Sequence, residues 1–238
     1  MTFKEKIHAK ASDLHISLND HQLDQFETYY KLLIDKNRYM NLTAITDEDQ
    51  VIDKHFTDSL TCVRVVDMNK INSMIDVGTG AGFPGIPLKI AFPHLHVLLL
   101  DSLKKRLTFL DEVIDVLELE DISTLHKRAE DAAKDKNLRE SYDLCVSRAV
   151  AGLSTLSEYC IPFIKINGIF VSYKSKKGLE EVSHIDHCMN VLGSEVMNVD
   201  EFYLSDHDSE RVLIKIRKNK STPGKYPRKA GTPLRNPL

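Results

Sequence analysis

A chain of 238 residues, 42% hydrophobic and 28% charged, can bury a full core without disulfide or metal staples, as an ordinary globular domain with a modest extension. Its longest apolar runs, such as 97–100, fall far short of the ~20 residues that span a bilayer, and Met1–Lys10 carries four charges and no secretory pattern, so no membrane attachment is expected. The net charge of −3 hides an asymmetry: Arg211–Leu238 holds nine Lys/Arg and no acid, which leaves −12 on the rest by subtraction and hints at a polyanionic partner such as nucleic acid.

The first 70 residues read as helical. Asn19 is placed to cap a helix, with Gln22 three residues on and Leu23, Phe26, Tyr30 and Leu33 at helical spacing. A second helical stretch is expected over 47–66. From Ser73 the pattern changes to short apolar strands, 73–77, 96–100, 121–125, 142–147 and 167–173, alternating with amphipathic helices; one of these carries Leu103, Leu107, Leu110, Ile114 and Leu117 on one face. Such alternation implies right-handed crossovers and a parallel sheet covered on both faces. Two last strands, 195–204 and 210–217, are separated only by Ser205–Ser209 and read as a hairpin. The expected fold is therefore α/β: a Rossmann-like, mostly parallel seven-stranded sheet with an antiparallel last strand, as in class I methyltransferases. The segments divide as an N-terminal helical extension (1–70), a methyltransferase-like domain (71–218) and a basic, Pro-rich tail (219–238).

The segment Ser73–Pro87 joins a strand, a glycine-rich turn and the start of a helix. Gly78, Gly80 and Gly82 allow a tight turn and leave bare backbone for a ligand at the carboxyl end of the first strand. A dinucleotide fingerprint needs glycines at 78, 80 and 83, but position 83 is Phe83. Asp76, in the strand end, is unwelcoming to a pyrophosphate and suits a ligand carrying an ammonium and a sulfonium, as S-adenosylmethionine does. Twenty-five residues further, Asp101 closes the next strand, where a carboxylate can accept hydrogen bonds from ribose hydroxyls or cap the helix opening at Leu103. Glu130, after the third strand, can flank an adenine ring or sit as a surface acid in a helical turn.

Acceptor chemistry is narrowed by what is missing. A pyrimidine-C5 transfer needs a nucleophilic cysteine, usually after a proline; none of Cys62, Cys145, Cys160 and Cys188 follows one, and they read as free thiols of a reducing cytoplasm. The fourth strand ends Cys145–Val150 without the Asn/Asp-Pro-Pro-aromatic turn used on exocyclic amines. An acceptor that is already nucleophilic remains, guanine N7 among them, for which the protein supplies alignment and no general base. Arg148 ends the fourth strand and can hold a cofactor carboxylate, a phosphate or a guanine edge, or simply an ion pair. His55 and Asp58, one helical turn apart, read as a paired polar site or a capping and core-satisfying pair, and the sequence favours the latter. His184, His187 and Cys188 lack a further ligand, so no metal is expected. The four prolines and two glycines of the tail argue against regular structure there; an extended segment would set Lys225, Arg228, Lys229 and Arg235 along RNA and leave cofactor binding alone.

Taken together, Asn41–Ile45, His55 with Asp58–Leu60, Asp76–Pro87, Leu100–Arg106, Arg128–Glu130, Ser147–Ala151 and Lys225–Pro233 resemble one family over nearly the whole chain: the bacterial small-subunit ribosomal RNA methyltransferases RsmG, or GidB. The resemblance implies transfer of a methyl group from S-adenosylmethionine to N7 of a guanine in 16S ribosomal RNA. The expected partner is small-subunit ribosomal RNA or the assembling small subunit, and a monomer in the cytoplasm is expected. The resemblance makes Gly78, Phe83, Ala129, Glu130 and Arg148 cofactor contacts, with Asp101 a further ribose candidate. Two departures stand out: Tyr173–Gly178 is longer than the family pattern, which bears on Lys174 as an RNA-facing residue, and a glycine is missing before Glu210. Two other classes compete, a non-catalytic RNA-binding or assembly factor and a nucleotide-cofactor oxidoreductase; the first leaves the glycine loop idle and the second conflicts with Phe83.

Overall fold

The computed structural model describes residues 1–148, 151–204 and 209–238. The alternating apolar runs become β1 (Ser73–Val77), β2 (His96–Asp101), β3 (Ile122–His126), β4 (Tyr142–Arg148) and β5 (Ile164–Lys174), followed by β6 (Ser194–Tyr203) and β7 (Glu210–Lys218). They form one sheet in the order β3-β2-β1-β4-β5-β7-β6, parallel except for β7, which runs antiparallel to both its neighbours. The expected seven-stranded sheet with an antiparallel last strand is what forms. Chain direction across the sheet reverses between β1 and β4, and in open α/β sheets that switch point opens a crevice at the strands' carboxyl ends. The turn expected at 205–209, including Asp208 but not Ser209, lies outside the described residues, as do Ala149 and Val150 of the Ser147–Ala151 motif.

The N-terminal helices Phe3–Asp13 and Asp20–Met40 each open with a capping box, Thr2 with Glu5 and Asn19 with Gln22. Phe26, Tyr29 and Leu33 from the second helix share one apolar core with Phe56, Phe83, Leu99 and Leu110, so this extension packs directly on one face of the sheet. The other face is covered by the helices Leu153–Cys160 and Asp186–Leu192, with Cys145, Phe170 and Ile214 beneath them.

Two segments differ from expectation. The helix expected over 47–66 is a run of mixed turns: α over Glu48–Val51, π over Ile52–Thr57, α over Asp58–Leu60 and 3₁₀ over Thr61–Arg64. The irregular turns leave main-chain carbonyls for other elements: Lys54 accepts from Arg148 (3.1 Å) and Ser59 from the Tyr173 hydroxyl (2.8 Å). The tail is not extended into solvent. Arg139 donates to the carbonyls of Thr222 (2.7 Å) and Tyr226 (2.9 Å), Tyr226 is buried, and a short helix forms over Thr232–Arg235. Proline and glycine discourage long regular structure but do nothing to prevent a segment from docking through its carbonyls.

Candidate active site

The switch-point crevice is a cavity of about 610 Å³, lined among others by Val77, Gly78, Gly80, Phe83, Leu100, Asp101, Ala129, Glu130 and Arg148. That volume lies within the ~300–1,000 Å³ of small-molecule sites. Of the sequence-predicted cofactor residues the structure therefore brings seven together on one wall system, and it places the other two, Asp76 and Gly82, behind the loop.

Asp76 is fully buried and does not line the cavity. Its Oδ2 accepts from the Thr79 hydroxyl (2.7 Å) and the Gly85 amide (2.9 Å), so the carboxyl braces the loop against the helix Gly85–Ala91. Among the described residues its Oδ1 has no hydrogen-bond partner, and burial pushes its pKa up to about 7, which weakens its negative charge near neutrality. Gly82 has φ +98°, and a Cβ there would lie 2.5 Å from the Tyr29 hydroxyl and 2.8 Å from Ile86. This glycine exists to admit the N-terminal helix, whose Tyr29 donates to the Ala81 carbonyl. Gly80 is the opposite case: at φ +64° its missing Cβ points into open space, with only Gly78 O at 4.0 Å.

Asp101 fills the capping role foreseen for it and also lines the cavity. Its Oδ1 accepts from the Leu103 amide (2.8 Å), fixing the helix entry, while Oδ2 accepts from the Gly80 amide (3.0 Å) and Arg106 (3.2 Å). A carboxylate offers about four lone-pair sites. Two are held by main chain, and the third by a half-exposed guanidinium that can swing away, leaving two for a diol.

Arg148 donates to the Lys54 carbonyl (3.1 Å) and Asp58 Oδ2 (2.8 Å), and its guanidinium lies 5.1 Å from the centre of the Phe83 ring. Asp58 Oδ1 accepts in turn from Arg211 (3.1 Å), so the buried acid joins β4, β7 and the mixed helix. His55 stacks on Phe83 with ring centres 4.7 Å apart and lines the cavity beside Leu42 and Thr43. The Thr43 hydroxyl accepts from the Ile45 amide (3.0 Å) and shares a hydrogen bond with His55 Nε2 (2.7 Å), while His55 Nδ1 lies 3.1 Å from the Lys54 carbonyl and 3.4 Å from Arg148 Nη2. Burial, with Arg148 adjacent, lowers the His55 pKa to about 4, so the ring is neutral at physiological pH. The capping reading of His55 and Asp58 missed this wall, because their partners Thr43, Arg148 and Arg211 come from three other parts of the chain.

Glu130 is buried at the start of the short helix Ala129–Ala132 and accepts from the Gly231 amide (2.9 Å). Gly231 and Leu234 complete the cavity wall, so the tail belongs to the site it was expected to leave alone. The basic candidates are redistributed. Arg228 clamps the fully buried Glu158 through Nε (3.0 Å) and Nη2 (2.6 Å), and Lys174 donates to the Ala151 carbonyl (2.6 Å) and Glu181 (2.9 Å); both cations are engaged by partners within the protein. Lys225, Lys229 and Arg235 are exposed, and sequence reasoning missed Arg106, Lys127 and Arg128 at the cavity mouth. Among the described residues no group of three metal-ligating side chains occurs: Cys188 is buried, whereas His184 and His187 point to solvent. No helix there is long and apolar enough to cross a membrane.

Comparison with solved structures shows the fold alone. A ribosomal protein L11 methylase from Lactobacillus delbrueckii subsp. bulgaricus matches with TM-score 0.52 at 15% identity, over 70% of this chain and 79% of that one. The YcgJ protein of Bacillus subtilis matches with TM-score 0.53 at 11% identity, over 70% and 100%. Sequence similarity is far closer to proteins named ribosomal RNA small subunit methyltransferase G. The one from Lachnoclostridium phytofermentans is 51% identical over 94% of this chain and 93% of its own length; that from Bacillus subtilis is 48% identical over the same shares. Residues 22–210 match the model of the family GidB, rRNA small subunit methyltransferase G, and with these relatives the chain belongs to that family of methyltransferase enzymes.

Proposed function

We propose that the cavity binds S-adenosylmethionine and that the protein, acting in the cytoplasm, transfers the cofactor's methyl group to N7 of a guanine in 16S ribosomal RNA. The observation that carries the reading is the pairing of a bare-backbone glycine turn at the end of β1 with a buried acid at the end of β2, both facing one cavity at the switch point. The donor set fits the group. Asp101 takes the ribose hydroxyls once Arg106 swings out, Leu100, Ala129 and Tyr159 offer apolar surface for adenine, and the amino-acid end lies along Gly78, Gly80 and Arg148.

When bound, the cofactor supplies an electrophilic methyl group. The protein's own task is alignment, because the N7 lone pair needs no deprotonation. His55 fits this division of labour: both its ring nitrogens are engaged by Thr43 and the Lys54 carbonyl, so it acts as a rigid neutral surface that backs Phe83. Arg148 is held in plane by Lys54 and Asp58, which suits it to a single oxygen such as guanine O6; a bidentate grip on O6 and N7 would block the reacting atom. Arg106, Lys127 and Arg128 at the mouth, with Lys225, Lys229 and Arg235 outside it, are placed for phosphates. Mapping methylated bases in ribosomal RNA from cells with and without the protein tests this. One N7-methylguanine of 16S ribosomal RNA should vanish in its absence and return with the purified enzyme and S-adenosylmethionine; an unchanged modification map defeats the reading.

A further inference from the structure

The C-terminal segment has an inner and an outer face. Inward, the Gly231 amide donates to Glu130, Arg228 holds Glu158, and the Thr155 hydroxyl donates to the Pro233 carbonyl (3.0 Å). Tyr226, Pro227 and Pro233 are buried against the body. Leu234 behaves differently: it lines the cavity, yet 64% of it is exposed. An apolar side chain placed there gains cover from a molecule inside the cavity. The segment's attachments are of two kinds. At its root Arg139 grips two carbonyls, while beyond Gly231 it is held by single side-chain donors: Thr155, Ser154 on the Leu238 carbonyl (2.7 Å) and Arg228 on the Asn236 carbonyl (2.8 Å). The root is fixed and the end is lightly pinned.

We infer that residues 226–238 form a removable wall of the cofactor site, a strap over its adenosyl end that lifts for the cofactor to enter and leave. The inference rests on the reading of the cavity as an S-adenosylmethionine site. Glu130 is the link, since it lines the cavity and anchors the strap through the Gly231 amide. A ligand that contacts Leu234 or Glu130 holds the strap down, and by reciprocity a loosened strap weakens the ligand. Residues with no place in the fingerprint of the glycine loop thereby set how long the cofactor stays.

Two measurements on the full chain with S-adenosylhomocysteine as probe test this: its release rate, and hydrogen exchange at the Gly231 amide. Release should quicken about 3- to 10-fold in Leu234→Ala, which removes cover without touching the core, and more in Glu158→Gln, which weakens the Arg228 clamp. In the unaltered protein, saturating probe should slow exchange at Gly231 by at least about tenfold. Unchanged release in Leu234→Ala together with unchanged exchange at Gly231 overturns the strap. Should Glu158→Gln fail to fold, those two measurements still decide. If the unaltered chain takes no S-adenosylhomocysteine by calorimetry, the reading of the cavity itself fails and the strap with it, an outcome distinct from a chain that binds the probe and ignores its strap.

Discussion

The floor of the cavity is built around one contiguous stretch, Val77–Phe83, whereas its roof includes Gly231 and Leu234 from the last dozen residues of the chain. The floor is held by main chain and buried acids at fixed spacing: Asp76 on Thr79 and Gly85, Asp101 on Gly80 and Leu103. The roof is held by side chains 70–101 residues away, Arg139 and Glu158 on 222–228 and Glu130 on Gly231. Local spacing builds a rigid surface that a ligand meets; distant contacts build one that can part from it. The difference separates affinity determinants that need the fold intact from those that can vary without unfolding it.

The largest effect should come from breaking the floor. Gly82→Ala places a Cβ in the left-handed region and within 2.5 Å of the Tyr29 hydroxyl and 2.8 Å of Ile86. Both the backbone strain and the overpacking act on the contact between loop and N-terminal helix, and a loss of about 3–5 kcal/mol is expected. Thermal denaturation checks it. A melting temperature within a degree or two of the parent would show that the loop relaxes freely and that Gly82 is not the seat of the helix. Gly80→Ala, whose Cβ meets open space, should keep more of the stability and lose cofactor affinity instead.

Next in size is Asp101→Ala, which removes the acceptor of two main-chain amides as well as any ribose contact. Affinity for S-adenosylmethionine should fall about 10- to 100-fold, with a stability loss of about 1–3 kcal/mol from the two amides left without their acceptor. A 2′-deoxy analogue of the cofactor separates the two contributions. If Asp101 grips the diol, the parent discriminates against the analogue and the variant does not. Equal discrimination by both proteins removes the ribose assignment and leaves Asp101 as a brace of the floor.

The same contrast explains what was legible in the sequence. Strands of a βαβ pattern are specified by local apolar runs, and β1 begins and ends where its run does. β5 begins at Ile164, three residues before its expected start, because Asn167-Gly168, a turn signal, is here a bulge: Asn167 has φ 68° and a Cβ on Gly168 would meet the Asp143 carbonyl at 3.1 Å. The glycine loop was recognisable by spacing, but spacing does not say which way a side chain turns, hence Asp76 and Gly82 behind the loop. Arg228 was read as a free cation because nothing near it in sequence is acidic; Glu158, its partner, sits 70 residues upstream. His55 shows the same limit, with Arg148 contributed by a strand 93 residues on.

The smallest effect is the most diagnostic of the two walls, because their buried groups titrate in opposite senses. His55, lowered from 6.5 to about 4, favours the neutral ring in the folded state; its contribution is present above pH 6.5 and is lost as pH falls towards 4. Asp76, raised from 3.8 to about 7, favours the protonated carboxyl; its contribution is present below pH 3.8 and is lost as pH rises through 7. Between about pH 4 and 6.5 acid therefore weakens the protein through one wall and strengthens it through the other, and the parent's own profile conceals both. Two substitutions uncover them. Relative to His55→Gln, the parent should lose stability as pH is lowered from 6.5 to 4.5; relative to Asp76→Asn, it should lose stability as pH is raised from 4.5 to 7. Denaturant unfolding of the three proteins across that range measures both slopes. Parallel profiles for the parent and Asp76→Asn would mean that the carboxyl is ionised within the floor, with a counter-charge or solvent reaching Oδ1.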